Sequence, residues 1–142
     1  MPTYETEITI DAPPAEVWKH LIDNGKHDEW SQHFQLRGEP VVGGPGRIEF
    51  KLFGMRTGAN VIFRNVDEPH ELRWDGGAKG IAFGSHFFIL TPVDGGARTH
   101  LRHGETFEGL FAGLTVRMLK LDRGGPSYNG FNEELRRRVM GA

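Results

Sequence analysis

Residues 84–107 read GSHFFILTPVDGGARTHLRHGETF, and this stretch decides the architecture. Two runs rich in apolar and aromatic residues flank Asp94-Gly95-Gly96, the composition of a tight hairpin turn. With Asp94-Gly95 at the tip, His86 faces His103 and Phe88 faces Leu101; with Gly95-Gly96 at the tip, His86 faces Glu105. Side chains alternate along a strand, so either register puts His86, Phe88, Leu90, Leu101, His103, Glu105 and Phe107 on one face. That face is mainly apolar and is expected inside. It carries two imidazoles and a carboxylate with it. Buried charge is costly unless paired, and a histidine beside a carboxylate can move a proton near neutral pH. His86, His103 and Glu105 are therefore the candidate catalytic residues. The plainer reading of the same three is a satisfied polar group that pins the hairpin register.

Outward from the hairpin, short apolar runs are expected as strands at about 35–42, 47–53, 58–67, 71–74, 80–91 and 99–107, separated by Gly, Pro and Asp turns. Such short connections join antiparallel neighbours, because parallel pairs need long crossovers. Residues 3–10 alternate Tyr4, Thr6, Ile8 and Ile10 against Glu5, Glu7 and Thr9, a half-buried first strand. Asp11-Ala12-Pro13-Pro14 leads into a short amphipathic helix at about 15–23, and a second short helix carrying Trp30 is expected at 27–33. From Leu110 to about Val139 apolar residues recur at helical spacing, giving one long helix interrupted at Gly124-Gly125-Pro126. The class is α+β: a strand, two short helices, six more strands and a terminal helix. One long helix on a strongly curved seven-stranded sheet would enclose a cavity; the other reading is a helix that fills the sheet completely.

Composition narrows the function. A chain of 142 residues is expected to form a single domain, 1–142, and 37% hydrophobic with 25% charged residues is the balance of a folded protein. A net charge of −2 does not suggest a nucleic-acid binder or a basic membrane-surface protein. Without cysteine, disulfides, thiol catalysis and zinc–thiolate or iron–sulfur centres are excluded. No apolar run approaches the ~18 residues of a membrane span, and the opening residues lack the basic and apolar regions of a signal peptide, so a cytoplasmic location is expected. His100 and His103 fall on opposite faces of their strand, and His27 and His33 are six apart, poor spacing for a shared metal. Neither a phosphate-binding loop nor a nucleophile elbow is present. No metal and no cofactor are expected.

The opening Ile8-Thr9-Ile10-Asp11-Ala12-Pro13-Pro14-Ala15-Glu16-Val17-Trp18 resembles that of the START-like (SRPBCC, helix-grip) superfamily, in its polyketide cyclase/dehydrase-like branch. The likeness continues at Trp30, Leu72-Arg73-Trp74 and His86-Phe87-Phe88-Ile89-Leu90. It is clearest at His103-Gly104-Glu105-Thr106-Phe107-Glu108-Gly109-Leu110, and returns at Gly130-Phe131-Asn132-Glu133-Glu134-Leu135. The ordered set carries it, not any one motif. The resemblance implies a seven-stranded curved antiparallel sheet wrapped on a long C-terminal helix, with a deep cavity for an apolar small molecule. The Gly124-Gly125-Pro126 break departs from that pattern.

Two functions from different classes follow. In the first, the cavity binds a small hydrophobic or aromatic molecule, with no nucleic-acid or membrane partner, in a monomer or homodimer. Phe34, Phe50, Phe63, Trp74, Phe88, Leu101, Phe107, Phe111 and Leu114 would supply its walls, Trp30 would stand at its mouth, and His86, His103 and Glu105 would orient one polar group. In the second, the same groups perform acid–base chemistry in a cofactor-free cyclase or dehydratase. A co-chaperone-type interaction domain is a weaker third.

Overall fold

Strand β1 (Thr3–Ile10) follows its alternation, burying Thr6 and Ile10 and exposing Glu5, Glu7 and Thr9. The computed structural model describes residues 2–78, 80–121 and 124–141, without the side chains of Ala78 and Ala82. After β1 the chain enters α1 (Pro14–Leu21) with proline in the first turn, where its missing N–H costs nothing. Val17, Trp18 and Leu21 are the buried stripe of α1. The expected second helix is only one 3₁₀ turn, His27–Glu29. Trp30 and Ser31 N–H still reach the His27 carbonyl, but past Ser31 the helical bonding stops and backbone donors turn to side chains. Gln32 N–H donates to Glu134, and Phe34 N–H donates to the Ser31 hydroxyl.

Six further strands complete the sheet: β2 (Gln35–Arg37), β3 (Pro45–Leu52), β4 (Met55–Asp67), β5 (Glu71–Ala78), β6 (Ala82–Val93) and β7 (Arg98–Glu108). All seven run antiparallel to their neighbours in the order β1-β7-β6-β5-β4-β3-β2. β2 ends well short of the expected residue 42. Gly38 turns the chain there at φ +104°, and a Cβ would strike the backbone of Pro45. β5 runs beyond the expected 74, through Gly76 and Gly77, to pair with β6. The β6–β7 register is the second of the two expected: His86 faces Glu105, Phe88 faces His103, and Leu90 faces Leu101. Its loop holds four residues between Val93 and Arg98, with positive φ at Asp94, Gly95 and Gly96.

The expected long helix is two separate helices, α2 (Ala112–Lys120) and α3 (Tyr128–Met140). Gly124 is left-handed (φ +75°) and Pro126 has no N–H, so no helical ladder crosses the break. Ser127 restarts the helix as its N-cap, its hydroxyl accepting from Gly130 N–H at 2.9 Å. α3 lies on the concave side of the sheet, where Phe131 and Leu135 join Trp18, Phe63, Phe88 and Leu101 in one core. Burying each such side chain stabilises the fold by roughly 1.5–3 kcal/mol. α2 makes a smaller cluster against β7 through Ala112, Val116 and Phe107. No described helix is long and apolar enough to cross a membrane.

Candidate functional site

α3 covers only part of the concave face, and the remainder is hollow. A cavity of about 360 Å³ lies between strands β3 to β7, helix α2 and the linker before α3. Phe34, Phe50, Trp74 and Phe107 line it, together with Phe83 and Tyr128. Three glycines, Gly76, Gly77 and Gly84, open the sheet side by leaving no side chain. Where the mouth is built, the β3–β4 tip meets the α2–α3 linker: Phe53 N–H donates to the Gly124 carbonyl at 2.6 Å.

The other expected wall residues lie elsewhere. Phe63, Phe88 and Leu101 share the concave face but sit under α3, with Phe131 5.6 Å from Phe88, and are part of the solid core. Trp30 packs on His27 and Phe131 outside the cavity lining. Phe111 and Leu114 are 47% and 58% exposed. Because α2 is a short helix of its own, it turns Ala112 and Val116 to β7 and Thr115, Met118 and Leu119 to the cavity, leaving Phe111 and Leu114 outside.

The register brings His86 and Glu105 together on the cavity floor, with His103 buried directly behind them. His86 Nδ1 lies 2.6 Å from Glu105 Oε1, and the Tyr128 hydroxyl donates to the same oxygen at 2.9 Å. His86 Nε2 lies 2.7 Å from His103 Nε2. His103 Nδ1 lies 2.8 Å from Asn132 Oδ1, and Asn132 Nδ2 donates to Thr6 Oγ1 at 2.9 Å. Thr6 donates its own proton to the His103 carbonyl. Aromatic rings enclose the chain: Trp74 stacks on His86 at 4.6 Å and Phe88 on His103 at 4.1 Å.

This wiring fixes the protons. Thr6 has spent its hydrogen, so it accepts from Asn132, and the Asn132 oxygen therefore faces His103. His103 then carries its proton on Nδ1. Burial, reinforced by the neighbouring His86, holds His103 well below the usual imidazole value. His103 is thus neutral, its Nε2 accepts, and His86 donates from Nε2. The remaining contact, His86 to Glu105, holds one shared proton. The pair is either imidazolium–carboxylate or imidazole–carboxylic acid, and is neutral as a unit in both. Burial and the Glu105 charge raise Tyr128 well above an ordinary phenol, so its hydroxyl stays protonated.

Two buried histidines make stability pH-dependent. Burial lowers both His103 and His27 from 6.5. Unfolded, each takes a proton as pH falls through about 6.5; folded, each resists it. Their contribution is therefore complete above 6.5 and is lost on acidification, by up to about 1.4 kcal/mol per pH unit for each group. Urea unfolding should show a falling midpoint from about pH 7.5 to pH 5, with a shallower fall in His27→Gln. A flat or rising midpoint over that range contradicts this account.

Among the described residues, no three His, Asp or Glu side chains gather so as to hold a metal ion. Among the described residues, no lysine or arginine lines the cavity, so none of them would offset the phosphates of a nucleotide cofactor.

A family model described as "Polyketide cyclase / dehydrase and lipid transport" matches residues 1–139. The chain belongs to this family. No functionally curated protein matches its sequence. Among solved structures, a protein from Mesorhizobium loti superposes with a TM-score of 0.74 at 19% identity, over 99% of this chain and 97% of that one. One from Thermus thermophilus gives 0.72 at 18% identity, over 99% and 98%. A protein of the dynemicin biosynthetic locus gives 0.73 at 20% identity, over 97% of this chain and 47% of its own length. At such identities the likeness is one of fold.

In this polyketide cyclase/dehydrase family member, the sequence reading missed Tyr128, Asn132, Thr6 and Gly84. A signal for two of them was present. Tyr128, Phe131, Asn132 and Leu135 stand at i, i+3, i+4 and i+7, one helix face carrying two polar residues among apolar ones. Gly84 carries none. A Cβ there would fall on Glu105 Oε2, so the carboxylate occupies the space the glycine leaves.

Proposed function

We propose that the cavity binds one small hydrophobic or aromatic molecule between the curved sheet and the two C-terminal helices, its polar end toward Glu105. The observation that carries this reading is a hollow of about 360 Å³, walled by Phe34, Phe50, Trp74 and Phe107, with one carboxylate at its floor. That volume is roughly the share of a dozen liquid waters, and it falls in the usual range of small-molecule sites. Titration with the neutral fluorophore N-phenyl-1-naphthylamine should saturate at one site. Ala59→Phe, which adds a ring to the lining, should weaken binding at least tenfold while leaving the circular dichroism spectrum unchanged. A non-saturating signal, or one indifferent to Ala59→Phe, rejects the proposal.

The shared His86–Glu105 proton favours a second reading, acid–base catalysis of a cyclisation or dehydration on a polyketide-like substrate. A carboxylate aimed into an apolar-walled cavity can take a proton from carbon next to a carbonyl and return it. The protein should then accelerate deuterium exchange at the α-carbons of 2-tetralone in D₂O, followed by proton NMR. Glu105→Gln should abolish the acceleration while retaining the fluorophore. Exchange no faster than in buffer removes the catalytic reading and leaves the binding one.

A further inference from the structure

Among the described residues, the floor of the cavity offers a free acceptor and no lysine or arginine. We infer that the molecule bound there is a hydroxylated aromatic, a phenol or an enol, whose O–H donates to Glu105 Oε2, and that the cavity rejects carboxylates of the same shape. The inference rests on the small-molecule reading of the cavity and specifies what that molecule must present.

Glu105 Oε1 is occupied twice, by His86 Nδ1 and by the Tyr128 hydroxyl. Oε2 takes no hydrogen bond from any described residue and lies over Gly84 on the cavity lining. Both His86 nitrogens are engaged, one with Glu105 and one with His103. The Tyr128 hydrogen is spent on Oε1, and Thr115 donates to the Phe111 carbonyl. The indole N–H of Trp74 is neutral and cannot balance a negative charge. Oε2 accepts in either proton arrangement of the pair: as a carboxylate oxygen when the proton is on His86, and as a carbonyl oxygen when it is on Oε1.

A ligand hydroxyl therefore completes the network. A ligand carboxylate would bring a second acceptor against Oε2, with no lysine or arginine among the described lining residues to pair it. An uncompensated buried charge is among the costliest arrangements in a protein interior. Ring walls on several sides favour an aromatic body for the ligand, since edge-to-face and offset contacts add to simple burial.

Three naphthalenes of nearly one shape isolate the effect: 2-naphthol, 2-methoxynaphthalene and 2-naphthoate, each competed against N-phenyl-1-naphthylamine at pH 7. The naphthol should bind at least tenfold tighter than the methyl ether, which lacks the donor, and at least tenfold tighter than the naphthoate. In Glu105→Gln the amide oxygen accepts from Tyr128 and from His86 Nδ1, which then carries its proton outright, and the NH₂ takes the place of Oε2, turning the acceptor into a donor. The naphthol preference should then vanish and the naphthoate should gain. Naphthoate binding as tightly as naphthol, or an order unchanged by E105Q, overturns the inference. Should E105Q fail to fold, G84A supplies the test, because its methyl group must displace Oε2 and erase the preference. Fluorophore binding that none of the three displaces also overturns the inference. Failure of the fluorophore itself to bind rejects the cavity reading instead, and the inference with it.

Discussion

Phe88→Ala should lower the free energy of unfolding by about 3–5 kcal/mol, whereas Phe50→Ala should cost less than half as much. Both residues are phenylalanines on the concave side, so the difference measures where the interior is solid. Phe88 is 1% exposed, 5.6 Å from the rings of Trp74 and Phe131 and stacked at 4.1 Å on His103. Truncating it removes the transfer energy of a ring and leaves a hole that α3 cannot close, because α3 is held to β1 through Asn132 and to the 31–32 segment through Glu134. Phe50 borders a space that is already empty, so its removal widens a void without creating one. Urea midpoints of the two variants decide the matter. Equal losses would mean that the wall is packed like the core and that the hollow does not exist in solution.

Asn132→Leu should cost about 2–4 kcal/mol and should also change the protonation of two histidines. The substitution keeps the side-chain volume while removing the acceptor for His103 Nδ1–H. A buried donor without a partner costs about 1–3 kcal/mol, and the Thr6–Asn132 bond is lost as well. His103 can escape the penalty by moving its proton to Nε2. His86 must then accept at Nε2, keep its single proton on Nδ1, and face an ionised Glu105. His86 would give up its Nε2 proton, and the pair, neutral before, would carry one negative charge. The amide on α3 thus acts as a positioning residue at one remove, setting the charge on a carboxylate it does not touch. Long-range ¹H–¹⁵N correlation of the imidazoles reads the outcome. In Asn132→Leu His103 should move its proton from Nδ1 to Nε2 and His86 should lose its proton at Nε2, which a loss of packing alone would not cause. Unchanged imidazole patterns would show that the amide does not order the chain.

The sheet was legible because its evidence is local. β1 alternates at every residue, and the 84–107 hairpin places the same side chains inward in either register. Which residue faces His86 was not legible, since it depends on a four-residue loop whose positive φ values at Asp94, Gly95 and Gly96 no alternation encodes. The apolar stripe after Leu110 was visible, but Gly124-Gly125-Pro126 resets its phase. Phe111 and Leu114 therefore fall outside the cavity lining. Phe63, Phe88 and Leu101 could not be told from Phe50 and Phe107 by pattern, because all five point inward; where α3 lies determines which are covered. Tyr128 reaches Glu105 for the same reason, through a tertiary crossing that spacing along the chain does not record.

The strand order also leaves the sheet with two ends, β1 and β2, and an open end is where a foreign strand would add on. β2 is three residues long, too short to template much, and its Arg37 is tied to Asp28 and Glu49. β1 is longer; on its outer face Glu5 is tied to Arg102 while Glu7 is more exposed beside His100, so charged side chains flank this edge. Short length at one rim and charged side chains at the other are the devices by which a sheet with a hollow centre discourages pairing with a second copy.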